Sequence, residues 1–336
     1  MLRQGSDFEA ALAAAIDAKT KPPGALGRIE ELAARIARIQ GTLSPRADSC
    51  HLTIFAADHG IAAEGVSAFP QEVTRQMVAT FLSGGAAASV FARALGATLS
   101  VVDAGVAGAP LAAPALVDRR IAPGTANGAE GPAMTAGQAR AALEAGRAIG
   151  ADPIADIAAF GEMGIANTSA AALLAAKLTG RDVADFVGRG TGLDDAGLDA
   201  KHAVLARAAA RTGARLPPEA ALAEVGGFEI AMMAGAMTGA AAAGRPVLVD
   251  GMIASAAALL AVALEPACRP ALIFAHRGHD AGHAAILEEL SAAPLLSLDL
   301  RLGEGTGALL AWPLVRAAAA MLSEMASFEA AGIARE

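Results

Sequence analysis

Short apolar runs punctuate this chain, each followed by an acid or a histidine and most by a glycine. They are 52–57 before Asp58-His59-Gly60, 99–102 before Asp103 and Gly105, 157–160 before Gly161-Glu162, 247–249 before Asp250-Gly251, 272–275 before His276, and 295–302 before Gly303-Glu304. Runs this short, bounded by turn residues and separated by alanine-rich stretches, predict buried parallel strands alternating with helices. The expected fold class is therefore α/β, a Rossmann-like, mostly parallel sheet flanked by helices. In such sheets ligands bind outside the carboxyl ends of the strands, and that edge would gather Asp58, His59, Asp103, Glu162, Asp250, His276 and Glu304.

Helical periodicity marks both ends of the chain. Ile29, Leu32, Ile36 and Ile39 recur at spacings of three and four behind a Pro22-Pro23-Gly24 breaker, which predicts a helix opening at Arg28. Leu314, Ala318, Met321, Leu322, Met325 and Phe328 form a second stripe, read as packing surface. Together the ends are expected to form a small helical domain, 1–45 plus 313–336, beside a large parallel-sheet catalytic domain, 46–312. Only 110–132 and the surroundings of Pro217-Pro218 have linker-like composition.

Composition narrows the function classes. Of 336 residues 54% are hydrophobic and 18% charged, enough apolar material for a sizeable core. The 26 Lys and Arg against 34 Asp and Glu leave a net charge of −8, so no nucleic-acid partner is expected. Cys50 and Cys268 match no ligand or redox spacing and read as buried thiols of a reducing compartment. The longest charge-free stretch, 76–92, contains Gln76, Thr80, Ser83, Gly84, Gly85 and Ser89, so no membrane span is expected. The opening residues carry no signal-peptide pattern, and a cytoplasmic location is expected.

Several clusters carry candidate chemistry. Gly188-Arg189-Gly190-Thr191-Gly192 and Gly303-Glu304-Gly305-Thr306-Gly307 lack both GxGxxG and GxxxxGK[ST] spacing; they read as tight turns or as backbone able to approach a phosphate or a flat ring. Glu304 and Glu162, each beside glycine at a strand end, suit a general base or a polar anchor, or equally a helix cap. The segment from His276 to His283 holds three of the six histidines. Its spacing is neither that of HExxH nor that of a zinc finger, and Gly278 and Gly282 argue for a loop, so no metal and no cofactor are expected. Lys201, near Asp194, Asp195 and Asp199, can present its ammonium to a phosphate or lie on a solvated helix face.

Taken in order, several segments resemble one family, the nicotinate-nucleotide:dimethylbenzimidazole phosphoribosyltransferases of cobalamin biosynthesis. They are the run from Thr20 to Arg28, Ala57-Asp58-His59-Gly60 with Glu64-Gly65-Val66-Ser67, Gly84-Gly85-Ala86-Ala87, the run from Gly161 to Thr168, Gly190-Thr191-Gly192-Leu193-Asp194-Asp195, Glu224-Val225-Gly226-Gly227-Phe228-Glu229, Val249-Asp250-Gly251 and the run from Arg301 to Gly307. The resemblance implies transfer of phosphoribose from nicotinate mononucleotide to 5,6-dimethylbenzimidazole, and a homodimer. It makes Glu304 the general base and puts Glu162 across the base pocket. It assigns Lys201, Gly188, Gly190, Gly164, Asn167, Thr168, Asp250 and Gly278 to phosphate or ribose. Phe69, Met77 and Leu302 are candidate apolar walls for the flat base, or core packing. One stretch departs from the pattern: where the family has Ser-Ala-Glu-Pro-Gly-His, this chain has Gly278-His279-Asp280-Ala281-Gly282-His283, which removes a hydroxyl, leaves the Gly278 amide as a substitute donor and suggests His279 as a compensating contact. The alternatives are a transferase of this family with another heterocyclic or phenolic acceptor, and a non-catalytic binder of nucleotides or heterocycles.

Overall fold

Five of the six apolar runs are strands of one sheet. The computed structural model describes residues 5–190 and 192–334; Thr191 of the first glycine cluster lies outside them. The strands are β1 (Cys50–Ala57), β2 (Thr98–Gly105), β3 (Leu116–Asp118), β4 (Ile157–Met163), β5 (Val247–Val249) and β6 (Leu272–Phe274). They lie in the order β3-β2-β1-β4-β5-β6, and every pairing is parallel. This is the doubly wound order, which reverses direction between β1 and β4 and leaves a crevice at their carboxyl ends. The expected α/β class is what the chain adopts.

Two readings are corrected. The run 295–302 is not a strand of this sheet: only β8 (Leu296–Ser297) pairs, with β7 (His276–Arg277), in a separate two-stranded ribbon. Its other leucines explain this, because Leu298 and Leu302 are half exposed and Asp299 takes a positive φ of 54°, neither compatible with a buried strand. Conversely, the linker-like segment 110–132 contains β3, a short edge strand whose flanking prolines and glycines supply its turns.

Among the described residues twelve α-helices connect and cover the sheet: α1 (Ser6–Asp17), α2 (Arg28–Gln40), α3 (Glu72–Ser83), α4 (Ala87–Leu95), α5 (Ala136–Ala151), α6 (Asn167–Thr179), α7 (Asp195–Ala210), α8 (Pro218–Val225), α9 (Phe228–Ala242), α10 (Met252–Leu264), α11 (Ala281–Glu289) and α12 (Thr306–Glu324). Strand residues alternate between two apolar layers. Phe55, Ala57, Phe160, Val249 and Phe274 join α5, α6, α9 and α10, whereas Leu52, Ile54, Ala159, Leu248 and Ile273 join α1, α2, α4 and α12. The helix at Arg28 starts where its periodicity predicts. The carboxyl-terminal one starts earlier than its stripe, at Thr306, and runs through Pro313 because Leu309, Trp312 and Val315 are buried against the sheet. By length and apolarity alone α12 and the stretch 72–95 qualify as membrane spans, against the expectation from composition. Within the fold α12 packs on α2 and on β4 and β5, and 72–95 is split into α3 and α4 at Gly84, where φ is 83°.

The closest helix pair was invisible to periodicity. In α5 and α9 a Cβ on Gly146 would land on the Met232 carbonyl, on Gly150 on that of Ala236, on Gly235 on that of Leu143, and on Gly239 on that of Arg147. Two glycine pairs, each four residues apart, thus let the backbones touch, and this contact sets how deeply α9 sits over β1 and β4. Gly146→Ala is expected to destabilise by about 1–3 kcal/mol, the usual cost of forcing an extra methyl into a filled contact, read as a lowered urea midpoint. Gly131→Ala, with nothing within 4 Å of the added methyl, is the matched control and should leave the midpoint unchanged.

Candidate active site

A cleft of about 440 Å³ opens outside the carboxyl ends of the strands at the reversal point. One wall is the turn from β4 into α6, another the loop 300–304, a third the segment 66–77, and the far end is closed by Gly190, Lys201 and the loop holding Gly278 and Asp280. Of the residues singled out from sequence, Glu304, Glu162, Phe69, Met77, Leu302, Gly164, Asn167, Thr168, Gly190, Lys201 and Gly278 all line it. Phe69 and Leu302 stand at its mouth, 46% and 51% exposed, which a core-packing role does not require of them. Gly188 and Asp250 are not on the wall.

Both glutamates are buried. Glu304 lies in a turn of three successive positive φ values, 86° at Gly303, 65° at Glu304 and 84° at Gly305. Its carboxylate accepts a hydrogen bond from the Ala88 amide at 3.3 Å, in the first turn of α4. Burial raises its pKa above the ordinary 4.5, the Ala88 amide partly opposes this, and the charge of Asp250 adds to it. Glu162 is pushed up to about 8, by burial first and then by the charges of Asp250 and Glu229. The Asn167 side-chain amide and the Glu304 backbone N–H donate to it and only partly offset that rise. At neutral pH Glu162 is mostly protonated.

The opposite end is cationic. The Lys201 ammonium, buried on α7, donates to the Thr168 hydroxyl at 2.9 Å and to the Gly188 carbonyl at 3.2 Å. Gly188 therefore contributes a carbonyl to the lysine, and its Cα packs on the Asp280 carboxylate. Burial pulls Lys201 down to about 8 although Asp280 opposes the shift. In the variant loop the Gly278 amide, expected as a substitute donor, is already spent on His283 Nδ1 at 3.0 Å. His283, buried and drawn down to about 4 by desolvation and by His276, accepts there and so carries its proton on Nε2, 3.1 Å from Ser255 Oγ. His279 is exposed and off the cleft wall, so the compensating role expected of it has no geometric support.

A model of the family described as phosphoribosyltransferase matches residues 3–333. Relatives named nicotinate-nucleotide–dimethylbenzimidazole phosphoribosyltransferase include one from Cupriavidus necator, 56% identical over 96% of this chain and 94% of its own length. Another, from Aromatoleum aromaticum, is 55% identical over 96% of this chain and 95% of its own. The chain belongs to the nicotinate-nucleotide–dimethylbenzimidazole phosphoribosyltransferase family. A crystal structure of CobT from Thermus thermophilus superposes with a TM-score of 0.94 at 47% identity, covering 98% of this chain and all of that one.

Behind the cleft floor of this family member lies a polar pair that the sequence left unassigned. His59 Nε2 is 2.7 Å from Glu229 Oε1, both side chains fully buried, with Asp58 beside them. Burial alone would push His59 down, but the carboxylates of Glu229 and Asp58 outweigh it, and its pKa stands above 6.5. A Cβ on Gly164 would strike the Ala57 carbonyl at 2.3 Å and meet this imidazole at 3.3 Å, so the pair packs directly behind the turn from β4 into α6 that walls the cleft. The Asp-His-Gly motif was legible as a strand-end cluster; its partner is 170 residues away, beyond any local signal. His59→Ala, which strands a buried carboxylate, is expected to cost about 3–5 kcal/mol of stability. A His with a raised folded pKa contributes fully below its ordinary 6.5 and loses that contribution as pH climbs through the folded value. Denaturant midpoints of wild type and variant should therefore converge as pH rises.

Proposed function

We propose that this chain transfers phosphoribose from nicotinate mononucleotide to 5,6-dimethylbenzimidazole, releasing nicotinate and forming α-ribazole 5′-phosphate. The observation that carries the reading is the pairing, in one cleft, of a buried carboxylate of raised proton affinity with a buried ammonium. A benzimidazole nitrogen that attacks carbon leaves its ring positively charged unless the N–H proton departs. The Glu304 carboxylate takes that proton, the new C–N bond forms at the anomeric carbon, and the bond to nicotinate breaks with its electron pair going to the pyridinium nitrogen. The leaving group is neutralised by departure and needs no acid. Attack from the face opposite nicotinate inverts the β-nucleotide to the α-product, so positioning supplies much of the rate. Lys201, with Thr168, Gly190 and the amides near Gly164, receives the phosphate, and protonated Glu162 offers an O–H to anchor the base. Phe69, Met77 and Leu302 face the flat ring. No step needs a metal, and among the described residues no cluster of metal-ligating side chains occurs. The enzyme is read as a cytoplasmic homodimer, with the two chain ends as its small helical unit; unpaired Cys50 and Cys268 support a reducing compartment.

Purified protein incubated with both substrates, with products separated by mass-detected chromatography, is expected to yield α-ribazole phosphate and nicotinate. Glu304→Gln should lower kcat by about 10²–10⁴-fold, the usual contribution of a general base. Because Glu304 is raised above 4.5, activity should fall on acidification at a pH above that value as the base becomes protonated. Nucleotide binding without product for this or any related acceptor would overturn the reading in favour of a binder. Separately, His279→Ala should leave the KM for nicotinate mononucleotide unchanged, since that side chain stands off the cleft.

A further inference from the structure

Asp250, assigned by resemblance to phosphate or ribose, lies beneath the cleft, 2% exposed, at the end of β5. Both its oxygens are spent on the start of α12: Oδ2 accepts from the Gly305 amide at 3.0 Å and Oδ1 from the Ala308 amide at 3.0 Å. That helix has no side-chain cap of its own, its N-cap being Gly305, so a carboxylate from a distant strand satisfies two of the four amides a helix start leaves unpaired. The fit is close on every side. A Cβ on Gly307 would sit 2.8 Å from Asp250 Oδ1 and strike the His276 ring, and one on Gly161 would meet the Glu304 carbonyl carbon at 2.5 Å. Directly ahead of the capped turn stands Glu304, the only non-glycine in the run 303–305 of positive φ, a strained conformation that persists only where surroundings over-determine it.

We propose that Asp250 is the positioning residue for Glu304: by clamping the first turn of α12 it fixes the left-handed turn that aims this carboxylate into the cleft, and it touches no substrate. This rests on the reading of Glu304 as the base. The charge of Asp250 also acts upward, because it lies among the causes that raise both Glu304 and Glu162. The other groups around it are Glu162 from β4, His276 from β7 at 3.6 Å, His283 from α11, Glu229 from α9 acting on Glu162, and the Ala88 amide of α4 on Glu304. Removing one negative charge from this set lowers the proton affinity of Glu304.

Asp250→Asn keeps the shape, removes the charge and turns one acceptor into a donor facing an amide. Its kcat is expected to fall about 10²-fold, the scale of a misaimed catalytic group, with KM for nicotinate mononucleotide within about twofold of wild type. The acid limb of kcat/KM should move to lower pH, a shift that mere loosening of the fold would not produce. Asp250→Glu, which keeps the charge and disturbs the clamp, should lower kcat with the limb left in place, and it serves as the second variant if the asparagine protein fails to fold. A wild-type kcat in either variant, a loss confined to KM for the nucleotide, or in Asp250→Asn a loss of kcat with an unmoved limb would overturn the proposal. Glu304→Gln in the same assay separates the two failures: full activity there defeats the base reading itself, whereas a slow Glu304→Gln beside a normal Asp250→Asn defeats only the positioning role.

Discussion

Four carboxylates, Glu162, Glu229, Asp250 and Glu304, are buried in and beneath one cleft, and the surrounding structure is organised by the need to satisfy them. Isolated buried charge is prohibitively costly, and cations close enough to neutralise these acids would also quench a base. The chain instead turns helix starts toward them. Asp250 takes amides of α12, Glu304 an amide of α4, Glu162 the side chain of the first residue of α6, and Glu229 itself sits in the first turn of α9, against His59. Amide dipoles stabilise an anion without supplying a proton, so Glu304 stays a competent acceptor while burial keeps its proton affinity high. Glu162, in the same cleft, has two donors, but burial and then the charges of Asp250 and Glu229 outweigh them, and it becomes the neutral member of the pair.

That arrangement demands backbone where side chains would otherwise stand. Gly161 lies on the Glu304 carbonyl, Gly303 on the Glu162 carboxylate, Gly305 on Leu52 and Gly307 on Asp250 and His276. The glycine-flanked glutamates therefore owe their flanks to close approach of β4, β5 and α12 more than to any phosphate. Read as a sequence, these clusters offered turns or an anion cradle; the structure makes them the means by which an acid at the end of β4 and one in the turn before α12 come together in one cleft.

Legibility followed the range of the physics. Short apolar runs closed by turn residues and the 3.6-residue helical period are local signals, so β1, β2, β4, β5, β6 and α2 could be read directly, and the acids that follow such runs placed Glu162 and Glu304 at one edge. Three kinds of feature could not be read this way. The partnership of His59 with Glu229 and of Asp250 with α12 is long-range. The α5–α9 contact depends on glycines four apart, which raise no hydrophobic period. The run 295–302 has strand-like composition, but its leucines serve a cleft mouth, and only tertiary exposure distinguishes that use. Resemblance supplied residue types for the phosphate end, yet it could not show that the Gly278 amide is consumed by His283.

The bond from the Gly278 amide to His283 changes how the cationic end is equipped. On the proposed reading, with no hydroxyl at 278 and its amide engaged by His283, anion contact would fall chiefly to Lys201 and the turn at the start of α6. Among the described residues Lys201 has no ion-pair partner within 4 Å; it holds a hydroxyl and a carbonyl, and desolvation keeps its pKa near 8, so a fraction of it is neutral at physiological pH. An arriving phosphate reverses this balance, since an anion beside a buried amine favours its charged form. On that reading the substrate would complete Lys201 electrostatically, and Asp280, close enough to raise its pKa but not to pair with it, tempers the cost of holding that charge until then. The two ends of the cleft follow one rule in opposite signs: each holds a buried group left partly uncompensated, and on the proposed reading its missing partner is what the ligand would bring.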